Sequence, residues 1–185
     1  ATLSALLWKY LDVQRERRNI RQAFGYHLPI TVVDQLARGV EHINTPGQSM
    51  HGIVLATDAE QYTALSEKLL PGELHDLMNR YYQVIFTPIR NAHGVVSDVV
   101  GDAVLAIWAA AQDDIARRSQ ACAAALAIRS AVDKFNADSA PRILPTRIGF
   151  HCGEVVMGHV GALDHYEYRA VGDIAQRGEI LVHDP

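Results

Sequence analysis

The stretch that most constrains this chain is Gly94-Val95-Val96-Ser97-Asp98-Val99-Val100-Gly101-Asp102-Ala103-Val104-Leu105-Ala106-Ile107-Trp108. Its two short β-branched runs favour a pleated, half-buried strand over a helix. Glycine lets the chain reverse at Val100-Gly101-Asp102, so the stretch predicts a hairpin with Asp102 at its tip and apolar strand on both sides. A carboxylate in that position is awkward for a core and useful for a metal. A plain turn aspartate is the other reading. The rest of the chain has to decide between them.

The chain has 185 residues, 49% hydrophobic and 21% charged, enough to bury a core in one domain with an appendage. Its net charge of −4 argues against nucleic acid as a partner, which requires a basic face. Cys122 and Cys152 are too few for a disulfide framework and fit a reducing compartment. There is no signal-peptide pattern, and no apolar run reaches the roughly 18 residues of a membrane span.

Residues 1–25 carry a heptad seam: Leu3, Leu6, Tyr10, Val13, Arg17, Ile20 and Phe24 recur at spacings of 3 and 4. Such a helix either packs on its own domain or pairs in parallel with a second copy, and the seam favours pairing. The arginines from Arg15 to Arg21, following Ala5-Leu6-Leu7-Trp8, resemble the cytoplasmic flank of a membrane helix. Pro29 ends the helix, and residues 26–50 read as a connecting segment, with Gly39, Pro46 and Gly47 marking a linker. The main domain is placed at 51–185.

His51 to Asp58 has a buried-strand pattern ending in a second carboxylate, with a turn over Ala59–Thr63. Pro71 opens a helix with an apolar stripe of Leu74, Leu77, Met78, Tyr81, Ile85 and Ile89. After the central hairpin, a second helix spans about Asp113 to Phe135, with Ile115, Ala121, Leu126, Ile128 and Val132 expected on its inner face. Residues 146–152 and 154–160 read as another hairpin, and Tyr166–Val171 as a last strand. Strand pairs between helices indicate an α+β fold, an antiparallel or mixed sheet with helices on one face.

Asp58 and Asp102 can then meet where a strand end and a hairpin tip coincide. Two such carboxylates repel unless a cation joins them. A hard divalent ion uses one or two carboxylates and draws its other oxygens from water and phosphates. The turn after Asp58 would offer backbone N–H groups to phosphate.

Four blocks carry a family resemblance: Val54–Asp58 with Tyr62–Glu67, Val99–Ala106, Gly149–Gly158 and Tyr168–Ile174. In this order and spacing they resemble the catalytic domain of bacterial class III nucleotidyl cyclases with an N-terminal signalling helix. Residues 18–37 resemble the linker that joins such domains to membrane-bound sensors. The resemblance implies a ferredoxin-like core working as a head-to-tail homodimer, with metal ligands from one chain and base-recognising residues from the other. Asp58 and Asp102 are then the catalytic metal ligands for two Mg²⁺ or Mn²⁺ ions. Ala59, Tyr62 and Thr63 face phosphate, and Asp98 and Arg169 face the base. The domain is expected to be cytoplasmic, below a membrane-anchored sensor.

The departures from the family pattern are informative. Ala56-Thr57-Asp58-Ala59 stands where the family commonly has phenylalanine, then Ala-Asp-Ile, and Gln61 stands where it has glycine. Asp173 belongs to a structural Gly-Asp element rather than to the metal set. His151 is expected to pack or hydrogen-bond in its strand rather than act as a base. After Ile174 the family continues into a helix bearing an asparagine and an arginine, whereas Gly178–Val182 here resembles the strand that follows that helix. The difference is roughly 15 to 20 residues, a helix and its loop, either deleted or omitted. Arg177 lacks matching flanks and is not assigned that role. By polarity a short acid and a cation suit guanine, while bacterial relatives mostly use ATP. The expected reaction is therefore ATP to cyclic AMP with weak base discrimination. The alternatives are GTP and a degenerate nucleotide-sensing domain.

Overall fold

The structure is a computed structural model that describes residues 47–162 and 165–173. The heptad helix, most of the connecting segment and everything after Asp173 lie outside the described residues. The elements are β1 (Gln48–Ala59), α1 (Tyr62–Ser66), α2 (Pro71–Asn91), β2 (Val95–Val100), β3 (Ala103–Ala110), α3 (Ile115–Ser139), β4 (Thr146–Ala162) and β5 (His165–Val171). They form the expected α+β arrangement around one sheet of order β2-β3-β1-β4-β5. The β2–β3, β3–β1 and β1–β4 pairings are antiparallel. Among the described residues, no helix is long and apolar enough to cross a membrane.

β1 is the central strand, and its sequence says why. Ile53 to Thr57 are all buried, so both faces are covered and the strand reads as a continuous apolar run. One face of the sheet, with Ile53, Leu55, Val104, Ala106 and Trp108, shares a core with α2 and α3. The other face also buries Val54, Leu105 and Ile107. β1 begins at Gln48, three residues before the expected start.

α2 opens on Pro71, where a missing N–H costs nothing, and Glu73 accepts from the Leu70 N–H at 3.2 Å. Its buried stripe is Leu77, Met78, Tyr81, Ile85 and Ile89, with Leu74 half-buried. The hairpin then returns beneath α2. Trp108 Nε1 donates to the Ala92 carbonyl at 2.8 Å, over Gly94. A Cβ on Gly94 would lie 2.4 Å from the indole, so only glycine fits this approach.

Two expectations need correction. Ile115 and Leu126 do not face inward: they are 79% and 69% exposed. The buried face of α3 is Ala121, Ala124, Ala125, Ile128, Val132 and Phe135. At 3.6 residues per turn Leu126 lies almost opposite Ile128, and small alanines let the helix sit close to its neighbours. The second correction is β4, which does not turn at Gly153 but runs unbroken from Thr146 to Ala162. Gly153 pairs with Gly52 in a continuous register from Gln48↔Met157 to Ala59↔Thr146. The long central strand supplies an uninterrupted ladder, and that pairing outweighs the local turn tendency of one glycine.

Among the described residues, Gly47–Gly158 and Arg169–Asp173 belong to one compact unit, while His159–Tyr168, the far part of β4 and the first part of β5, belongs to a second.

Candidate active site

β3 runs beside β1 with Thr57 opposite Val104, which brings the β2–β3 tip alongside the end of β1. Gly101 makes the reversal at φ 60°, the left-handed region that favours glycine. Asp102 follows, and its Oδ2 accepts the backbone N–H of Ala59 at 2.8 Å, a bond spanning 43 residues of sequence. This charge-assisted bond holds the tip carboxylate beside the residue that follows Asp58. Both aspartates are half-buried at these strand ends.

Tyrosines from α2 lie under the pair. The buried Tyr81 hydroxyl is 3.0 Å from Thr146 Oγ1, which donates to the Leu144 carbonyl at 2.9 Å. Burial pushes the Tyr81 phenol well above its ordinary range; the Thr146 bond opposes that, while Asp102 and Asp58 add to it. One buried hydroxyl thus feels both carboxylates. Tyr82 donates its hydroxyl to the Gly101 carbonyl. Across β1, Arg147 pairs in register with Asp58, and its Nε donates to Glu60 Oε1 at 2.9 Å. Neither Tyr82 nor Arg147 was legible as a site residue, because strand register and helix rotation place them.

The expected phosphate donors divide. The Ala59 N–H is already donated to Asp102, so it is not offered to phosphate as the sequence suggested. Glu60 N–H is likewise donated to Pro145 at 2.9 Å. Tyr62 and Thr63 open α1, where helical geometry supplies no intrahelical acceptor for their N–H groups.

The base candidates come from two edge strands. Asp98 follows a bulge between Val96 and Asp98, and its Oδ1 accepts from the Val99 N–H at 2.8 Å. Ser97 Oγ accepts the Ala170 N–H at 3.3 Å, so the backbones carrying Asp98 and Arg169 are neighbours. His151 pairs with Val54, four residues along β4 from the Arg147–Asp58 pair, or about 13 Å at strand rise. It stands away from the carboxylates.

Among the described residues there is no cluster of three or more His, Cys, Asp and Glu that could hold a metal. The donor set at this site is two hard carboxylates, which fits an oxygen-seeking divalent ion completed by water and phosphate and does not fit a soft or zinc-like site.

Two carboxylates at adjoining strand ends of an α+β domain can hold a hard divalent ion whose other oxygens come from water or phosphate. The family model for the adenylate and guanylate cyclase catalytic domain matches residues 48–176, and the chain belongs to that family. Adenylate cyclase 1 of Rhizobium meliloti (strain 1021) is 35% identical over 121 residues, 63% of this chain and 18% of that protein. An uncharacterized protein of Mycobacterium tuberculosis (strain ATCC 25618 / H37Rv) is 30% identical over 85% of this chain and 28% of its own length. The chain thus spans less than a third of these relatives. In fold it resembles a bacterial light-regulated adenylyl cyclase, with TM-score 0.78 at 23% identity over 98% of this chain and 53% of that one. It also resembles the guanylyl cyclase Cya2, with TM-score 0.68 at 23% identity over 75% and 72% of the two chains.

Proposed function

We propose that this domain converts ATP to 3′,5′-cyclic AMP and pyrophosphate at a homodimer interface. The observation that carries the reading is the Ala59–Asp102 bond at 2.8 Å, which draws the tip carboxylate to the end of β1 beside Asp58. A bond forms between the ribose 3′ oxygen and the α-phosphorus, the bond to pyrophosphate breaks, and the 3′-hydroxyl gives up its proton to solvent water. Asp58 and Asp102 would hold divalent cations, Mg²⁺ or Mn²⁺, which would supply acidification of the 3′-hydroxyl and charge neutralisation at the leaving group. The N–H groups of Tyr62 and Thr63 receive phosphate at the mouth of α1. Asp98 and Arg169 read the base.

ATP is favoured over GTP because a relative at 35% identity is named an adenylate cyclase. A mutually satisfied Asp98–Arg169 pair would penalise the wrong base less than an unpaired group does, so discrimination is expected to be weak. The heptad seam and its basic flank support a parallel signalling helix leading down from a membrane-anchored sensor, with this domain on the cytoplasmic side.

The test is kcat/KM for ATP and GTP on one preparation with Mg²⁺ or Mn²⁺, alongside Asp58→Ala and Asp102→Ala. Cyclic AMP formation that both variants abolish supports the reading. A GTP preference above about tenfold, about 1.4 kcal/mol, replaces the adenine assignment. Nucleotide binding without turnover assigns a degenerate sensing domain instead.

A further inference from the structure

We propose that Tyr82 is a positioning residue for the Asp102 carboxylate, acting through the Gly101 carbonyl; this rests on the two-carboxylate reading above. The hairpin tip has little packing of its own, since Val99 and Val100 beside it are 38% and 64% exposed. Two bonds grip it from different elements. From β1, the Ala59 N–H holds Asp102 Oδ2 at 2.8 Å. From α2, the Tyr82 hydroxyl holds the carbonyl of the preceding residue, Gly101.

The two grips act on adjacent residues of one tight turn. Gly101, at φ 60°, has no side chain with which to brace itself. The peptide that joins Gly101 to Asp102 therefore takes its orientation from the Tyr82 bond, and that peptide aims the carboxylate. Tyr82 is itself well fixed, its ring stacked on Phe86 with centroids 5.7 Å apart and planes 17° from parallel. Burial raises the Tyr82 phenol, and Tyr62 and Asp102 add to the shift, so the hydroxyl remains a donor. The ring packs and the hydroxyl aims, so the two parts can be separated by removing one oxygen.

Tyr82→Phe keeps the stacked ring and deletes the donor. Two measurements on the full chain, without nucleotide, read the consequence. Amide hydrogen exchange at Ala59, followed by NMR in metal-free protein, reports how firmly Asp102 is held. Mn²⁺ titration followed by electron paramagnetic resonance reports the carboxylate pair directly. Tyr82→Phe is expected to speed Ala59 exchange and to weaken Mn²⁺ binding, each by about tenfold, as loss of an outer-sphere partner does. Replacing Tyr82 with 4-aminophenylalanine restores a donor at the same place and should recover both, which a purely structural ring would not require. If Tyr82→Phe leaves both readings at wild-type values while Asp102→Ala loses Mn²⁺, the positioning role is overturned and the two-carboxylate reading stands. If Asp102→Ala binds Mn²⁺ as the wild type does, both fall together.

Discussion

At the residue scale, Asp102 and Thr57 contrast in how polar atoms are placed. Asp102 has a backbone donor waiting for it, so its carboxylate is held without being used up. Thr57, one residue before Asp58, is 1% exposed, and its hydroxyl has no hydrogen-bond partner among the described residues. It stands at a position where an apolar side chain would do, with Val104 and Ile148 as its cross-strand neighbours. Burying an unpaired hydroxyl costs about 1–3 kcal/mol, so Thr57→Val, equal in shape, is expected to raise unfolding stability by about 1 kcal/mol. Urea denaturation of the two proteins checks this; an unchanged or lower midpoint would mean the hydroxyl has found a partner.

At the element scale, α3 shows that apolar identity and burial are separate properties. Ile128 is fully buried, whereas Leu126, two residues away and larger than any alanine in the stripe, is 69% exposed. Ile128→Ala is therefore expected to cost about 2–5 kcal/mol through the cavity it leaves. Leu126→Ala is expected to stay within about 0.5 kcal/mol. Thermal unfolding of the pair checks the order. A reversal would mean that α3 is rotated by half a turn, and the alanine stripe would have to be exposed. The face of α3 toward the sheet matters to the site, because Leu144, between α3 and β4, is held by Asn136: its N–H donates to Asn136 Oδ1 at 2.8 Å. The same Leu144 carbonyl accepts from Thr146, the hydrogen-bond partner of Tyr81 under the carboxylates.

At the scale of the whole molecule, the proposed site needs two chains, with metal ligands from one and base contacts from the other. A shared site makes turnover depend on association, so activity per chain should fall on dilution below the dimer dissociation constant. A sharper consequence follows from the symmetry. Asp102→Ala chains, inactive alone, still carry intact base residues and would complete one site in each mixed dimer. Adding an excess of that variant to dilute wild-type protein is therefore expected to raise cyclic nucleotide formation. Coupled measurement of pyrophosphate release during the titration checks it, and a flat or falling response would place the whole site within one chain.

Sequence alone determined the parts of this protein that depend on neighbours along the chain. The reversal at Gly101 was legible because glycine between β-branched runs leaves few alternatives, and β2 and β3 lie where those runs do. The inward stripe of α2 was legible because apolar residues at 3 and 4 spacing can share only one face. The same local logic placed Asp58 at a strand end and Asp102 at a tip. Tertiary structure alone decided what depends on register. Gly153 looked like a turn until it was seen opposite Gly52 in an unbroken ladder. Ala59 looked like a phosphate donor until Asp102, 43 residues later, took its N–H. Tyr82 lies outside the expected α2 stripe, and only the return of the hairpin brings the Gly101 carbonyl to its hydroxyl. Each of these is a partnership between distant segments, and spacing along a chain cannot express which hydrogen-bonding groups folding will bring face to face.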